Sequence, residues 1–312
     1  MIEVSGLTKY YGPTRAIYDL NFSIESGHIV GFLGLNGAGK TTALKVLAGF
    51  LLPTAGTVRI GGLDLLAHPA QLRARIGYLP EKPPLYDEMV VTDYLTYLGR
   101  LRGMSKSAVE ERLPTVLERT GLTEKVDTVI GTLSLGFRKR VGIAQALIHD
   151  PQLLIFDEPI SGLDPVQIVE MRGLIKSLGG DHTILISSHI LSEVEETCDH
   201  LLVLNDGELV GQGTEEEILA SFSHSLHFEV SVQGDFEAIG SLLEGHPLVS
   251  DLTVGRKRGD IGNWSVTLLR DEPAELAKAL VDGGFGLHRL EASRGQLESA
   301  FLAMTSSKGG LA

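Results

Sequence analysis

Gly34-Leu35-Asn36-Gly37-Ala38-Gly39-Lys40-Thr41-Thr42 is the stretch that decides how this chain folds, because it matches the pattern G-x-x-x-x-G-K-[ST]. Residues 28–33 before it are apolar enough to predict a buried strand. Residues 42–48 after it predict a helix that ends at Gly49. A strand, a glycine loop and a helix in this order predict a loop whose backbone N–H groups and helix N-terminus surround phosphate groups.

The side chains of this loop indicate a triphosphate and a divalent cation. Lys40 would neutralise the β and γ phosphates, and the Thr41 hydroxyl would ligate Mg²⁺. The remaining nucleotide contacts would come from Asn36, Gly37, Ala38, Gly39 and Thr42. The loop alone leaves open whether the chain is a kinase, a GTPase or a motor.

A second motif lies at residues 153–158, where Leu-Leu-Ile-Phe is followed by Asp157 and Glu158. A short, uninterrupted apolar run predicts a parallel strand that is buried on both faces and carries the two acids at its carboxyl end. Asp157 would hold Mg²⁺, and Glu158 would polarise the water that attacks the γ-phosphate. The alternative is a strand followed by solvated acids in a turn, and the presence of the glycine loop argues against it.

Residues 133–140, Leu-Ser-Leu-Gly-Phe-Arg-Lys-Arg, lie about twenty residues before that strand and run into a helical pattern. In order and spacing these motifs resemble the ATP-binding cassette (ABC) family, whose signature is L-S-G-G-Q. The resemblance implies that Ser134 and Gly136 contact the γ-phosphate bound by a second copy of the chain. It also implies that Asp164, in S-G-L-D-P, belongs to the D-loop and that His189, in I-S-S-H, is the switch histidine.

Two further positions resemble family motifs. Tyr11, in K-Y-Y-G, is similar to the A-loop aromatic that stacks on adenine, and an ordinary strand aromatic is the alternative. Glu81 stands where the family has a Gln that senses Mg²⁺ and the transporter, and a carboxylate can also ligate Mg²⁺. Leu135 and Phe137 replace Gly and Gln in the signature. Such substitutions resemble those in ATP-binding subunits of ABC-2-type exporters, including the gliding-motility-type group, which this chain resembles over its whole length.

The predicted fold class is α/β: a P-loop NTPase core of ABC type with antiparallel β and helical subdomains, followed by a small α+β ferredoxin-like domain. The nucleotide-binding domain should span residues 1–220, with the helical subdomain at about 85–150 and a linker at 221–226. In the family the helical subdomain receives the membrane subunit. The candidates for that groove are Tyr78, Leu85, Tyr86 and Met89, with internal packing as the alternative for each.

The C-terminal part, residues 227–306, shows alternating and helical patterns in the order β-α-β-β-α-β. A last helix should carry Leu297, Phe301 and Met304, and residues 307–312 should form a tail. The part contains no catalytic constellation, which favours a regulatory or dimerisation role.

The composition of the chain limits the classes of partner that it could bind and its location in the cell. The sequence has 312 residues, one cysteine and a formal net charge of −13, which disfavours a disulfide framework and a nucleic-acid partner. It shows no apolar run of the ~20 residues that cross a bilayer and no signal-peptide profile. We therefore expect a cytoplasmic protein, peripheral on the inner face of the cell membrane through an integral membrane permease subunit.

The resemblance implies an ATPase that works as a pair of identical chains, with Mg-ATP bound between them, and that drives export by the permease. An alternative is a soluble ABC ATPase that acts on nucleic acid or the ribosome. Such proteins typically have long coiled-coil insertions or two cassettes, and this sequence shows neither sustained heptads nor a second glycine loop. A module that holds ATP without turnover is disfavoured by Asp157, Glu158 and His189.

Overall fold

The computed structural model describes residues 1–222, 226–270 and 272–292. The chain divides into two compact units, Met1–Thr214 and Glu215–Ala312. This boundary differs from the one expected at residue 220, because the helix Glu215–Phe222 belongs to the second unit. The predicted last helix, the tail and linker residues 223–225 lie outside the described residues.

A six-stranded sheet forms the centre of the first unit, and five of its strands run parallel. The last strand turns back antiparallel through Asp206 and Gly207, both of which have positive φ, as a two-residue hairpin turn requires. In spatial order the strands are β10 (Glu208–Gly213), β9 (His200–Asn205), β3 (Ile29–Leu33), β8 (Thr183–Ser188), β7 (Leu153–Asp157) and β6 (Ile76–Leu79).

A second sheet of the first unit is antiparallel, as its alternating pattern predicts. Its spatial order is β2 (Thr14–Ile24), β1 (Ile2–Tyr11), β4 (Ala55–Ile60) and β5 (Leu63–Asp64).

Seven α-helices are described in the first unit. The segment expected to be helical, 85–150, contains three of them and two short 3₁₀ turns, Thr123–Lys125 and Ile130–Thr132. The helices are α1 (Lys40–Leu47), α2 (Pro69–Arg73), α3 (Val91–Leu101), α4 (Lys106–Arg119), α5 (Leu135–Leu147), α6 (Pro165–Leu178) and α7 (Leu191–Glu195).

The central sheet separates two hydrophobic cores, and β7 contributes to both. Leu153 and Ile155 pack with α1 and the antiparallel sheet, whereas Leu154 and Phe156 pack with the helices α3 to α6. All four side chains are fully buried. A strand that is covered on both faces must be apolar throughout, so the first polar side chain of β7, Asp157, appears at its carboxyl end.

One residue proposed for the permease groove is buried instead. Tyr78 is 8% exposed in β6 and packs against Phe50, with ring centroids 5.0 Å apart. Its position on a sheet strand turns the ring into the core, which is the internal packing expected as the alternative for this residue. Leu85 and Met89 are partly buried against the core of the helical segment, and Tyr86 remains 47% exposed.

The second unit has the predicted β-α-β-β-α-β order. Its four-stranded antiparallel sheet has the spatial order β12 (Val249–Arg258), β13 (Ile261–Leu268), β11 (Leu226–Gln233) and β14 (Gly286–Ala292). This strand order is that of a ferredoxin-like module. Its own core surrounds Trp264, which is 1% exposed and stacks on Phe236. The elements are α8 (Glu215–Phe222), β11 (Leu226–Gln233), α9 (Phe236–Glu244), β12 (Val249–Arg258), β13 (Ile261–Leu268), α10 (Pro273–Asp282) and β14 (Gly286–Ala292).

Because the second unit has a complete sheet and its own core, we expect residues 215–312 to fold alone. Circular dichroism should show one cooperative thermal transition. Trp264→Ala should destabilise the fragment by about 3–5 kcal/mol through loss of buried aromatic surface. Leu269→Ala, at a side chain that is 59% exposed, is the matched control and should change the melting temperature little. A fragment that melts without cooperativity would contradict an independent core.

A histidine after α5 predicts a pH dependence of stability. Burial, with a smaller contribution from Arg102, lowers the pKa of His149 from 6.5 to about 4. Its Nε2 lies 3.1 Å from the carbonyl oxygen of Ile76. The unfolded chain therefore binds more protons than the folded chain between these two pH values, and the stability present above pH ~6.5 falls as the pH drops toward ~4.

Denaturant titrations should show a free energy of unfolding about 2 kcal/mol lower at pH 5 than at pH 8 from this group alone. His149→Gln retains an amide donor for the Ile76 carbonyl but does not titrate, so that part of the pH dependence should disappear. An unchanged pH dependence in this variant would show that His149 is not responsible.

Candidate active site

The glycine loop joins β3 to α1 in the arrangement that the sequence predicts. Gly39 precedes α1 with φ +98°, and no side chain caps the first turn of the helix. A Cβ added at Gly39 would lie 2.6 Å from the carbonyl oxygen of Ala16, so only glycine fits. The first N–H groups of α1 are consequently left for an external acceptor, and an anion is the natural one.

Lys40 lies under this loop and is 6% exposed. Its Nζ donates to the carbonyl oxygens of Gly34, at 2.7 Å, and Leu35, at 3.2 Å. The same ammonium lies 3.7 Å from Glu158 Oε1. Burial lowers the pKa of Lys40, while the nearby carboxylates of Glu158 and Asp157 counteract that shift. The lysine is thus a largely desolvated cation at the floor of the loop.

Asp157 connects three elements at the carboxyl end of β7. Its Oδ1 accepts hydrogen bonds from Thr41 Oγ1, at 3.1 Å, and from Ser187 Oγ, at 2.7 Å. The carboxylate is 1% exposed, and a buried carboxylate requires such donors. This arrangement places Asp157 and the Thr41 hydroxyl together, as the sequence predicts for a pair that shares a cation.

Glu158, the next residue, has an unusual backbone conformation, with φ +50°. Its N–H donates to Ser187 Oγ at 2.9 Å, and its Oε2 lies 3.0 Å from Nδ1 of His189. A non-glycine residue with positive φ costs about 1–3 kcal/mol, and such strain is often found at functional sites. Here the strain turns the Glu158 side chain away from the strand and toward His189.

A cavity of about 480 Å³ lies over these groups, within the size range of ligand sites. It brings together most of the residues singled out from the sequence, including the distant Glu81 and His189. The lining also includes residues that the sequence did not point to, at the start of β2. The described residues that line it are Thr14, Arg15, Ala16, Asn36, Gly37, Gly39, Lys40, Thr41, Thr42, Glu81, Glu158, Ser161 and His189.

Tyr11 does not line this cavity. It ends β1, pairs with the lining residue Thr14 and is 48% exposed. The Nζ of Lys9 lies 5.5 Å from the centre of its ring. The stacking of Tyr11 on adenine therefore stays a prediction. The residue paired with it on the neighbouring strand, Thr14, does line the cavity. Ala38 and Asp157 also lie behind the lining rather than in it.

Ser134, Gly136 and Asp164 lie apart from the cavity within one chain. Ser134 caps α5, with its Oγ 3.4 Å from the N–H of Phe137, and Ser134 and Gly136 line a separate small depression. Asp164 caps α6 and accepts hydrogen bonds from two N–H groups of that helix. In a single chain these residues are helix caps and a close-packed glycine.

Ser187 is a site residue that sequence reasoning missed. Its hydroxyl donates to the Asp157 carboxylate and accepts from the main-chain N–H of Glu158. Its position in β8 lies directly opposite Asp157 in the parallel register. The available signal was a hydroxyl that directly follows the apolar run of residues 184–186 in β8.

The strand–loop–helix phosphate cradle, its buried lysine and the two acids at the end of β7 define a P-loop nucleotide-hydrolysing protein. Residues 17–161 match the family described as "ABC transporter". The bacitracin transport ATP-binding protein BcrA of Bacillus licheniformis is 36% identical over 97% of both chains. The Nod factor export ATP-binding protein I of Cupriavidus metallidurans is 34% identical, over 98% of this chain and 97% of that protein.

Solved structures of ABC transporter subunits have the same fold as this chain. An ATP-binding subunit of an ABC transporter superposes with a TM-score of 0.63 at 33% identity, covering 71% of this chain and 93% of that one. A nucleotide-free ATP-binding cassette from an ABC transporter superposes with a TM-score of 0.64 at 28% identity, covering 72% of this chain and 95% of that one. The chain belongs to the ABC transporter ATP-binding proteins, and it is an ATPase subunit of a transporter.

Lys40→Ala should remove the main counter-charge of the phosphates. Loss of one partner of a buried charge pair costs about 2–5 kcal/mol, so we expect ATP affinity to fall about 30-fold or more. Fluorescence anisotropy with a labelled ATP analogue measures this directly. Lys45→Ala removes a lysine from the same helix outside the cavity and should leave affinity unchanged. Tight binding by Lys40→Ala would exclude the cavity as the nucleotide site.

Proposed function

We propose that this chain hydrolyses Mg-ATP at a site shared by two copies and thereby drives export by a separate membrane subunit. The observation that carries the proposal is the pairing of Glu158 with His189 at 3.0 Å on the wall of a cavity whose floor holds Lys40. This is an arrangement of base, orienting group and phosphate counter-charge. Phosphoryl transfer depends on such positioning and charge stabilisation.

The residues present fit a magnesium ion. Thr41 Oγ1 and the Asp157 carboxylate lie 3.1 Å apart and supply hard oxygen donors, and the Glu81 carboxylate belongs to a residue that lines the same cavity. Mg²⁺ is usually held by one or two carboxylates together with substrate phosphates. Among the described residues, no three His, Cys, Asp or Glu side chains are placed to hold a metal ion by themselves. When bound, Mg²⁺ neutralises charge on the phosphates.

Glu158 is the proposed general base. Its Oε2 faces His189, which would orient the carboxylate, while Lys40 draws its other oxygen toward the floor of the cavity. Because backbone strain already turns the carboxylate into place, little rearrangement is needed to receive a proton from water. Lys40 and the N–H groups of α1 would stabilise the phosphates.

The separation of Ser134 and Gly136 from the cavity supports a shared site. A second copy facing the first could place its signature over the triphosphate, with the N-terminus of α5 directed at the γ-phosphate. The surface of this part of the chain is apolar in a way that suits association: Leu135 is 49% exposed, Val166 69% and Val169 65%. Asp164 would contribute from the same surface.

Export by a separate permease is supported by two observations. The relatives named above are transport and export ATP-binding proteins. Throughout the described ranges, no helix is both long enough and apolar enough to cross a membrane. We therefore propose an integral membrane permease as partner, which would hold this chain at the cytoplasmic face of the cell membrane.

For the second unit we propose a regulatory or dimerisation role. Its ferredoxin-like sheet has its own core, and the described residues that line the cavity lie in the first unit. A unit with a core of its own could change the lifetime of a dimer or its coupling to the permease.

Glu158→Gln should retain Mg-ATP binding but hydrolyse it roughly 10²–10⁴-fold more slowly, because the amide cannot act as a base. ATP would then persist between two copies, so size-exclusion chromatography with light scattering should show an ATP-dependent dimer. Glu118→Gln, at an exposed position on α4, is the matched control and should turn over normally. A variant that remains monomeric in Mg-ATP would contradict the shared site.

A further inference from the structure

Lys139 is a buried cation in the helix that follows the signature. It lies one turn into α5 and is 3% exposed. Its neighbours in the sequence behave differently: Arg138 pairs with Asp87 at 2.8 Å, and Arg140 pairs with Glu170 at 2.7 Å, and both acids are more than half exposed. Of these three consecutive cations, only Lys139 is directed into the core of the unit.

The Lys139 ammonium joins two loops of the active site. Its Nζ donates to the carbonyl oxygen of Glu158 at 2.8 Å and to that of Glu81 at 3.1 Å. Glu158 follows β7 and Glu81 comes shortly after β6, so the bonds connect the carboxyl ends of two adjacent parallel strands. Both residues line the nucleotide cavity.

The charges around Lys139 suit a cation despite its burial. Burial lowers the pKa of Lys139, and carboxylates counteract that shift, with Glu81 the strongest and then Glu158, Asp157 and Glu193. The last three are themselves buried. Removal of Lys139 would leave Glu158 and Asp157 with Lys40 as a compensating charge and would take away the second buried cation beside them, which is costly in a protein interior.

The contact with Glu158 also bears on backbone strain. Glu158 has φ +50°, and its two peptide groups are both fixed: Ser187 accepts from its N–H and Lys139 donates to its carbonyl. A strained conformation persists only where its surroundings hold it. The Ser161 N–H also donates to the Glu158 carbonyl, at 3.3 Å. Lys139 makes the shorter bond to that carbonyl, and it is the group that also reaches Glu81.

We propose that Lys139 is a positioning residue for hydrolysis, which fixes the Glu158 carboxylate toward His189 and ties that geometry to the loop of Glu81. The inference rests on the proposed function, because it assigns Lys139 an action through Glu158. The Glu81 loop and the proposed base would accordingly move as one element.

Lys139→Met tests this in the full chain, because methionine preserves the apolar stem and removes the charge and both hydrogen bonds. We expect kcat to fall about 10²-fold, the usual effect of misplacing a catalytic group by ~1 Å. The affinity for a non-hydrolysable ATP analogue with Mg²⁺, measured by calorimetry, should change by less than about threefold, because the phosphate contacts are intact. Lys106→Met, at a side chain that is 81% exposed, is the matched loss of a lysine.

A double-variant cycle separates positioning from a merely structural role. If Lys139 acts through Glu158, then adding Lys139→Met to Glu158→Gln should lower the single-turnover rate by less than about threefold, because effects of residues that act as a unit do not multiply. Lys139→Gln, which restores a shorter amide donor, should recover part of the lost kcat. It also replaces Lys139→Met in the cycle if that variant does not fold.

The outcomes are distinct. Three results would each overturn the positioning role: a near-normal kcat in Lys139→Met, losses that multiply in the double-variant cycle, or a loss of analogue affinity as large as the loss of kcat. In each case ATP hydrolysis by the wild-type chain would still support the proposed function. A wild-type chain that binds ATP but shows no hydrolysis would overturn both.

Discussion

The parallel register between β7 and β8 is the constraint on which this active site depends. It places Asp157 opposite Ser187 at the carboxyl ends of two strands, within hydrogen-bond distance of Thr41 at the start of α1. One serine hydroxyl then holds Asp157 by its side chain and Glu158 by its main chain. A slip of one residue in this pairing would turn the acids to the opposite faces of the sheet and remove the site.

The second determinant is charge balance in a region with little water. Lys40 and Lys139 lie among the buried acids Asp157, Glu158 and Glu193. Buried charges are tolerated only when they are paired and hydrogen-bonded, so each group here limits where the others can lie. Binding of a triphosphate would bring several negative charges to Lys40, so the contact between Lys40 and Glu158 would weaken as the nucleotide enters.

Much of the architecture could be predicted from local pattern. Three sequence patterns each predict one structure, and the structure contains all three. They are the glycine loop, the apolar run of β7 and the β-α-β-β-α-β pattern of the second unit. The family resemblance added Glu81 and His189 to the candidate site residues, and both line the cavity. For Tyr78 the sequence left permease contact and internal packing both open, because an aromatic residue in a short strand gives no periodic signal of which neighbour will cover it. The structure shows internal packing.

The sequence by itself determined the order of strand, phosphate loop and helix, and the chemistry of the groups on them, because these depend on spacing, backbone freedom at glycine and the polarity of each side chain. Only the tertiary structure decided which distant groups meet. Ser187, thirty residues after Asp157, and Lys139, nineteen residues before Glu158, contact these acids because adjacent parallel strands and a packed helix bring them there. No spacing rule encodes such contacts, since they arise from the register of a sheet and from the burial of one particular side of α5.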